Sequence, residues 1–276
     1  MLAASRTKAF PWKGNGPSCE IRLPVPFGVS SGLFSTCPPK RVLILGDSVS
    51  LTMGIQMSLD QEDWGTLVDI AAINGCGFVT GDYYVQFEGA PAHLNPQCNN
   101  EVATWTSDVR SFGPQAIVVE LGWWDSFVHV RVLSDEALFL TQPEYDLLVE
   151  KQILGLIQSL RAVSTAPIYF LSVPWMRPSA LPNGQPEVAA SKGFHHEINR
   201  LIWTATRSST TTHFVDISPY ISPAGHFQAD VDGGVCRESD GIHLYYGSFS
   251  NYVHTACGEA LQRGVLSMIR RDLAKP

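Results

Sequence analysis

From residue 41 onward the chain alternates short unbroken apolar runs with longer stretches whose apolar residues recur every three or four positions. Arg41–Gly46 (Arg-Val-Leu-Ile-Leu-Gly) is a run of the kind buried on both faces of a parallel sheet. Similar runs at Leu67–Ile73, Ala116–Leu121, Ile168–Val173 and His213–Ile217 predict four more strands. The stretches Ser48–Leu59, Asn99–Phe112, Glu144–Val163, Val188–Thr206 and Phe249–Leu273 read as helices. In the second, Val102, Trp105 and Val109 share a face; in the third, Ile153, Leu156, Ile157 and Leu160 do. Strands separated by helices imply right-handed crossovers and a parallel sheet covered on both faces. Ligands of such sheets bind outside the carboxyl ends of the strands, which directs attention to the residues just after Leu45, Ile73, Leu121, Val173 and Ile217. Residues 1–40 break the pattern. Pro11, Pro17, Pro24, Pro26, Pro38 and Pro39 remove backbone donors and fix φ, so this segment reads as an extended arm or linker before one domain at 41–276.

Composition narrows the class. Of 276 residues 45% are hydrophobic and 16% charged, which excludes wholesale disorder. The 19 basic and 26 acidic side chains include no basic cluster, so neither nucleic acid nor an anionic membrane surface is an expected partner. No apolar run is long enough to span a bilayer, and Met1–Phe10 carries Arg6 and Lys8 where a signal peptide would be apolar. The expectation is a soluble chain, cut from a longer one if it is exported. The six cysteines form no Cys-x-x-Cys pair and none lies at zinc-finger spacing to a histidine, so no metal site is expected. Two readings of them stay open: buried thiols of a cytosolic protein, or three bridges in an oxidising compartment. Their Gly-, Pro- and Asn-rich settings favour bridges.

Two short motifs carry chemistry. The first strand runs into Gly46-Asp47-Ser48-Val49-Ser50, which places a serine hydroxyl at the top of the sheet and its N–H at a helix N-terminus, where an oxyanion is stabilised. The plain alternative is that Asp47 or Ser48 only caps the helix. Near the other end stands Asp240-Gly241-Ile242-His243, a carboxylate three residues before a histidine. A serine nucleophile needs such a base, and the base needs an acceptor that holds its tautomer. Either motif alone is unremarkable.

Together, at the two ends of an α/β domain, they resemble the SGNH hydrolase superfamily, a branch of the GDSL-type esterases, over roughly Arg41 to Leu273. The resemblance implies a three-layer α/β/α, flavodoxin-like fold with a five-stranded parallel sheet. It also implies a triad of Ser48, His243 and Asp240, with no cofactor and no metal. The family's oxyanion-hole glycine after the second strand falls on Gly75 in Asn74-Gly75-Cys76-Gly77. Its Gly-x-Asn-Asp block falls on Gly122-Trp123-Trp124-Asp125, where Trp124 replaces the asparagine that donates to the oxyanion. The expected oxyanion hole is therefore Ser48, Gly75 and, if its indole turns inward, Trp124. Asp47, Gly122, Trp123 and Asp125 are expected to line the substrate.

The altered block, together with Gly75-Cys76-Gly77, is similar to one branch, the SGNH domain fused to bacterial membrane O-acyltransferases, in which Asn199 and Asp216 also have counterparts. That resemblance implies an extracytoplasmic enzyme with an acyl donor and a carbohydrate acceptor, joined to a membrane acyltransferase domain in the same polypeptide. An esterase releasing the acyl group to water and a non-catalytic carbohydrate-binding domain are the alternatives. On locality and on this branch, the expected cysteine pairs are Cys76–Cys98, Cys19–Cys37 and Cys236–Cys257. Other patterns carry less. His195-His196-Glu197 lacks the second histidine of a zincin helix, and Asp230–Gly234 lacks the closing glutamate of a calcium loop and reads as a flexible loop flanking the site. Trp123, Trp124, Trp175 and Tyr246 follow strand ends or the histidine segment, where aromatic rings either stack on sugars or pack the core.

Overall fold

In the computed structural model, the alternating Val-Leu-Ile-Leu residues of Lys40–Gly46 (β3) send successive side chains to opposite faces of a sheet. The structure describes residues 18–19, 35–36, 38–59, 61–87, 90–177, 191–248 and 251–274. Most of the expected arm, Cys37 and the start of the expected helix at Val188 lie outside these residues. Within the arm, Ser18–Cys19 (β1) pairs antiparallel with Ser35–Thr36 (β2).

β3 lies second from one edge of a five-stranded parallel sheet with Thr66–Ala72 (β4), Ala116–Glu120 (β7), Ile168–Leu171 (β10) and Thr212–Val215 (β11), in the order β11-β10-β7-β3-β4. The chain leaves β3 toward β4 and returns to its other side as β7. A topological switch point therefore falls at the carboxyl end of β3, where the Ser48 motif begins. One face of the sheet, with Leu43, Leu45, Ile117, Val119, Ile168 and Phe170, packs on Glu101–Phe112 (α2), Pro143–Arg161 (α3) and Lys192–Thr206 (α4). The other, with Val42, Ile44, Val118, Tyr169 and Leu171, packs on Ser48–Ser58 (α1) and the C-terminal helices. After the short Ser218–Ile221 (α5), these are Ala256–Leu261 (α6) and Ser267–Asp272 (α7), joined by a π-helical turn.

Two sequence expectations change, and one sheet is added to them. The closing helix expected at Phe249–Leu273 starts only at Ala256, because the Thr255 hydroxyl accepts from Gly258 N (3.0 Å) and caps the helix there. A Gly247–Ser248/Asn251–Tyr252 hairpin precedes it. Asp230–Gly234 is not a loose loop: Asp230–Val231 and Gly234–Val235 pair as a hairpin whose two turn residues, Asp232 and Gly233, both have positive φ, as a type I′ turn requires. Finally, Tyr83–Phe87 (β5), Ala90–His93 (β6), Val128–Arg131 (β8) and Ala137–Leu138 (β9) form a separate antiparallel sheet from the segments leaving the carboxyl ends of β4 and β7.

α2 opens on Glu101, which is 5% exposed. Burial, followed by the nearby Asp125 and Asp47 carboxylates, pushes its carboxyl up to about 9 from the usual 4.5. Between those two pH values the unfolded chain holds fewer protons than the folded one, so this group makes stability fall as pH rises. Glu101→Gln is accordingly expected to melt above the parent at neutral pH, by on the order of 3 kcal/mol at pH 7. The gap should close toward pH 4.5. Thermal unfolding of both proteins across pH 4.5 to 8 checks this, and a gap that does not change with pH would assign the gain to another cause.

Candidate active site

Asp47 and Ser48 form the turn between β3 and α1. The Asp47 side chain caps the helix by accepting from Val49 N (2.8 Å), which leaves Ser48 as the first helical residue with its N–H unclaimed by the helix. Gly46 precedes them with φ +142°, and a Cβ there would lie 1.8 Å from the Glu120 carbonyl oxygen, so only glycine lets the strand end approach β7 so closely.

The Ser48 hydroxyl lies 2.8 Å from His243 Nε2, and His243 Nδ1 lies 2.6 Å from Asp240 Oδ2. The other Asp240 oxygen accepts from the N–H groups of Ile242 (2.8 Å) and His243 (3.1 Å). Partial burial raises the Asp240 carboxyl, but hydrogen bonds from the His243 ring and these two N–H groups outweigh it and hold the carboxyl down at about 2. Asp240 is thus ionised wherever His243 serves as a base. The two motifs, 195 residues apart, become one hydrogen-bonded line.

α1 holds the histidine loop as well as the serine. Ser48, Thr52 and Gln56 stand at i, i+4 and i+8, on one stripe of the helix, and meet three successive residues. Ser48 meets the His243 ring, the Thr52 hydroxyl accepts from Leu244 N (3.2 Å), and Gln56 Nε2 donates to Tyr245 O (2.9 Å) and Val253 O (2.8 Å). Thr52 and Gln56 are buried. Neither was singled out from the sequence, although polar residues at i, i+4 and i+8 of the serine's own helix are a visible signal.

The four residues expected to line the substrate are enclosed by the protein. Asp47, Trp123 and Asp125 are buried, and so is Gly122, which Val173, Ile198 and Phe78 crowd. Asp125 accepts from Phe78 N (2.7 Å) and Val79 N (2.8 Å), fastening the segment that follows Gly75 and Cys76. Burial pushes its carboxyl up to about 6 against the pull of these N–H groups. A Cβ on Gly77 would stand 2.7 Å from Asp125 Oδ2, so the glycine and the carboxylate require each other. Gly75 itself is half-buried in a positive-φ turn (φ +81°). Cys76–Cys98 ties the same segment to the entry of α2 across 22 residues, worth about 3 kcal/mol by chain entropy, and Cys236–Cys257 ties the histidine loop to α6. The Cys19–Cys37 pairing lies outside the described residues.

Trp124 also departs from expectation. Its indole nitrogen is shut off from solvent with no acceptor among the described residues, within a cluster of Phe87, Trp123 and Phe127. A donor with no accessible surface cannot meet a substrate oxygen, so the ring acts here by packing. Trp124→Phe, which removes the N–H and the pyrrole part of the indole but keeps an aromatic ring in the cluster, is expected to change ester turnover by less than about threefold, whereas loss of a true oxyanion donor costs about a hundredfold or more. Steady-state rates on one small ester separate the two.

Below the serine lie two charged groups that the sequence reading passed over. Glu120 pairs in register with Gly46 and is fully buried, which drives its carboxyl well above the usual range, and Asp47 is raised by burial too. Arg237 is 3% exposed, its guanidinium lowered to about 10 by burial, and it donates to Trp175 O (2.7 Å). Among the described residues, Cys76, Cys98 and Glu101 are the one convergent group of metal-type ligands, and both cysteines are committed to a disulfide. No helix among them is long and apolar enough to cross a membrane.

No family model matches the chain, and no curated protein matches it. Solved structures do. A carbohydrate acetylesterase family member from Sinorhizobium meliloti superposes with a TM-score of 0.51 at 18% identity, over 86% of this chain and 100% of that one. A second carbohydrate acetylesterase from Sinorhizobium meliloti gives 0.47 at 13% identity, over 85% and 99%. An aryl esterase from Mycobacterium smegmatis (M. smegmatis) gives 0.45 at 15%, over 84% and 99%. At such identities the likeness is one of fold, and with its five-stranded parallel sheet between two helical layers the chain has the α/β/α fold of the SGNH hydrolases.

Proposed function

We propose that the chain is a serine-dependent acyl-transfer enzyme acting on O-acyl esters of a carbohydrate, working outside the cytoplasm as the SGNH domain of an O-acyltransferase. The observation that carries the chemistry is the Ser48–His243–Asp240 line, with both contacts at hydrogen-bond distance. A domain that only binds sugar has no use for it. In the first half-reaction the Ser48 hydroxyl oxygen attacks the ester carbonyl as His243 Nε2 takes its proton. The oxyanion meets the N–H groups of Ser48 and Gly75. His243 returns the proton to the departing alkoxide, leaving an acyl group on Ser48. An acceptor hydroxyl then gives its proton to His243 and attacks the acyl carbon, and Ser48 leaves as its oxygen takes that proton back from His243. Asp240 holds the imidazole and offsets its charge at both steps.

The acceptor separates the first reading from the second, an esterase in which the acceptor is water. Half-exposed Asp240 and partly exposed His243 leave the line open to solvent, and a carbohydrate acetylesterase shares the fold, both of which favour the esterase. Two buried disulfides support an oxidising compartment for either. Incubation with p-nitrophenyl acetate followed by acid quench and peptide mapping is expected to show one acetyl group on the peptide containing Ser48. Added sugar hydroxyls should then divert acetyl from water to sugar if the chain is a transferase. Failure to diminish free acetate leaves the esterase, and acetylation elsewhere refutes both.

A further inference from the structure

Beside the catalytic loop is a cavity of about 340 Å³ that the triad does not line, bounded by Trp175, Lys192, His195, His196, Asn199 and Asp216. It opens where the chain leaves β10 and β11, at the same carboxyl edge of the sheet as Ser48. Its floor is rigid. Asn199 Oδ1 accepts from Val173 N (2.8 Å), and Asn199 Nδ2 donates to Val173 O (3.1 Å) and His195 O (3.0 Å), pinning the exit of β10 to α4. His195 Nε2, 3.0 Å from Val173 O, adds a further tie. With Nε2 so committed, Nδ1 is left buried without a hydrogen-bond partner among the described residues. The Trp175 indole is stacked on this imidazole, ring centroids 3.6 Å apart and 17° from parallel, with His196 edge-on to it at 5.6 Å.

The same segment is stitched to the catalytic loop. Trp175 O accepts from Arg237 (2.7 Å), Arg177 N donates to Gly241 O (3.0 Å), and the Arg177 guanidinium donates to Ser239 O (3.1 Å). The cavity thereby has one wall fastened to the loop that carries Asp240 and His243. Its volume is at the low end for ligand sites (about 300–1,000 Å³), enough for one ring rather than a polymer. Its lining joins an aromatic plate to a carboxylate, an amine and an imidazole, with Asp216, Lys192 and His196 all exposed. An acyl chain would call for an apolar wall, and an anion for cations without Asp216. A ring with an apolar face and a belt of hydroxyls meets both halves of this lining.

We propose that this cavity is a glycosyl subsite, holding a further sugar unit of the saccharide whose ester lies at Ser48. The proposal rests on the carbohydrate reading above, and it predicts that the substrate is an oligosaccharide. Xylotriose and N,N′,N″-triacetylchitotriose, titrated into the full chain and followed by tryptophan fluorescence and saturation-transfer NMR, test it directly. At least one is expected to bind, with Trp175→Ala weakening it about tenfold and Trp175→Phe restoring most of the loss. Lys192→Ala, on the exposed first turn of α4, gives a smaller loss and guards against a misfolded tryptophan variant. No binding of either probe, or binding indifferent to all these changes, overturns the subsite. Release of p-nitrophenol from p-nitrophenyl acetate, an ester with no sugar, is read on the same preparations. Ester turnover without sugar binding refutes the subsite alone, and sugar binding without ester turnover refutes the Ser48 chemistry alone.

Discussion

Ser48→Ala is expected to lower turnover of p-nitrophenyl acetate by roughly four to six orders of magnitude, and His243→Ala by nearly as much. The double variant should be no worse than either single one, because nucleophile and base act on the same proton. Once one is gone, the 2.8 Å contact between them has nothing left to transfer. Asp240→Asn is expected to do less than either, since the loop backbone still donates to that side chain and holds the turn. Initial rates on protein whose circular dichroism matches the parent decide the matter. Near-parental activity in Ser48→Ala would end the serine mechanism.

The second large effect belongs to Asp125 and falls first on stability. Asp125→Ala strips the acceptors from Phe78 N and Val79 N, both buried, at about 1–3 kcal/mol each. Removing a buried carboxylate gives part of that back, since burial already raises this group to about 6. The expected net loss is about 3 kcal/mol, read as a lower urea midpoint with an unchanged slope. Turnover should also fall, through kcat rather than KM, because the loosened segment carries Gly75 while Asp125 is buried behind it. A midpoint equal to the parent's would show that the loop is held by other contacts, the Cys76–Cys98 bridge first among them. A rise confined to KM would return Asp125 to the substrate, where the sequence motif had placed it.

That motif shows why part of the site was legible and part was not. Gly-Asp-Ser and Asp-x-x-His are local: the spacing of each sets its own geometry, Asp47 by capping the helix that presents Ser48, Asp240 by closing a turn on His243. Their union could be read from resemblance before any contact was seen. The block at Gly122–Asp125 is recognisable as well; the resemblance puts Gly122, Trp123 and Asp125 at the substrate, and the structure buries all three. Whether a side chain points into a cleft or into the core is set by what packs over it, and the packing comes from β10, α4 and the Phe78 segment, all distant in sequence.

The order of the five parallel strands and of the long helices between them followed from hydrophobic period, because strands buried on both faces and one-sided helices leave different patterns in a single chain. The antiparallel sheet of β5, β6, β8 and β9 did not, since two of its strands follow β4 and two follow β7, and their partners are chosen by space rather than by spacing. The same distinction separates Ser48, which its own turn announces, from Gln56, Glu120 and Arg237, whose roles exist only once other segments have closed over them. Local hydrogen bonding and periodic burial are written residue by residue, so the chain by itself determined its elements and its reactive motifs. Long-range burial depends on which surfaces meet, and only the folded structure decided which polar groups are enclosed beneath Ser48 and which stay open to solvent.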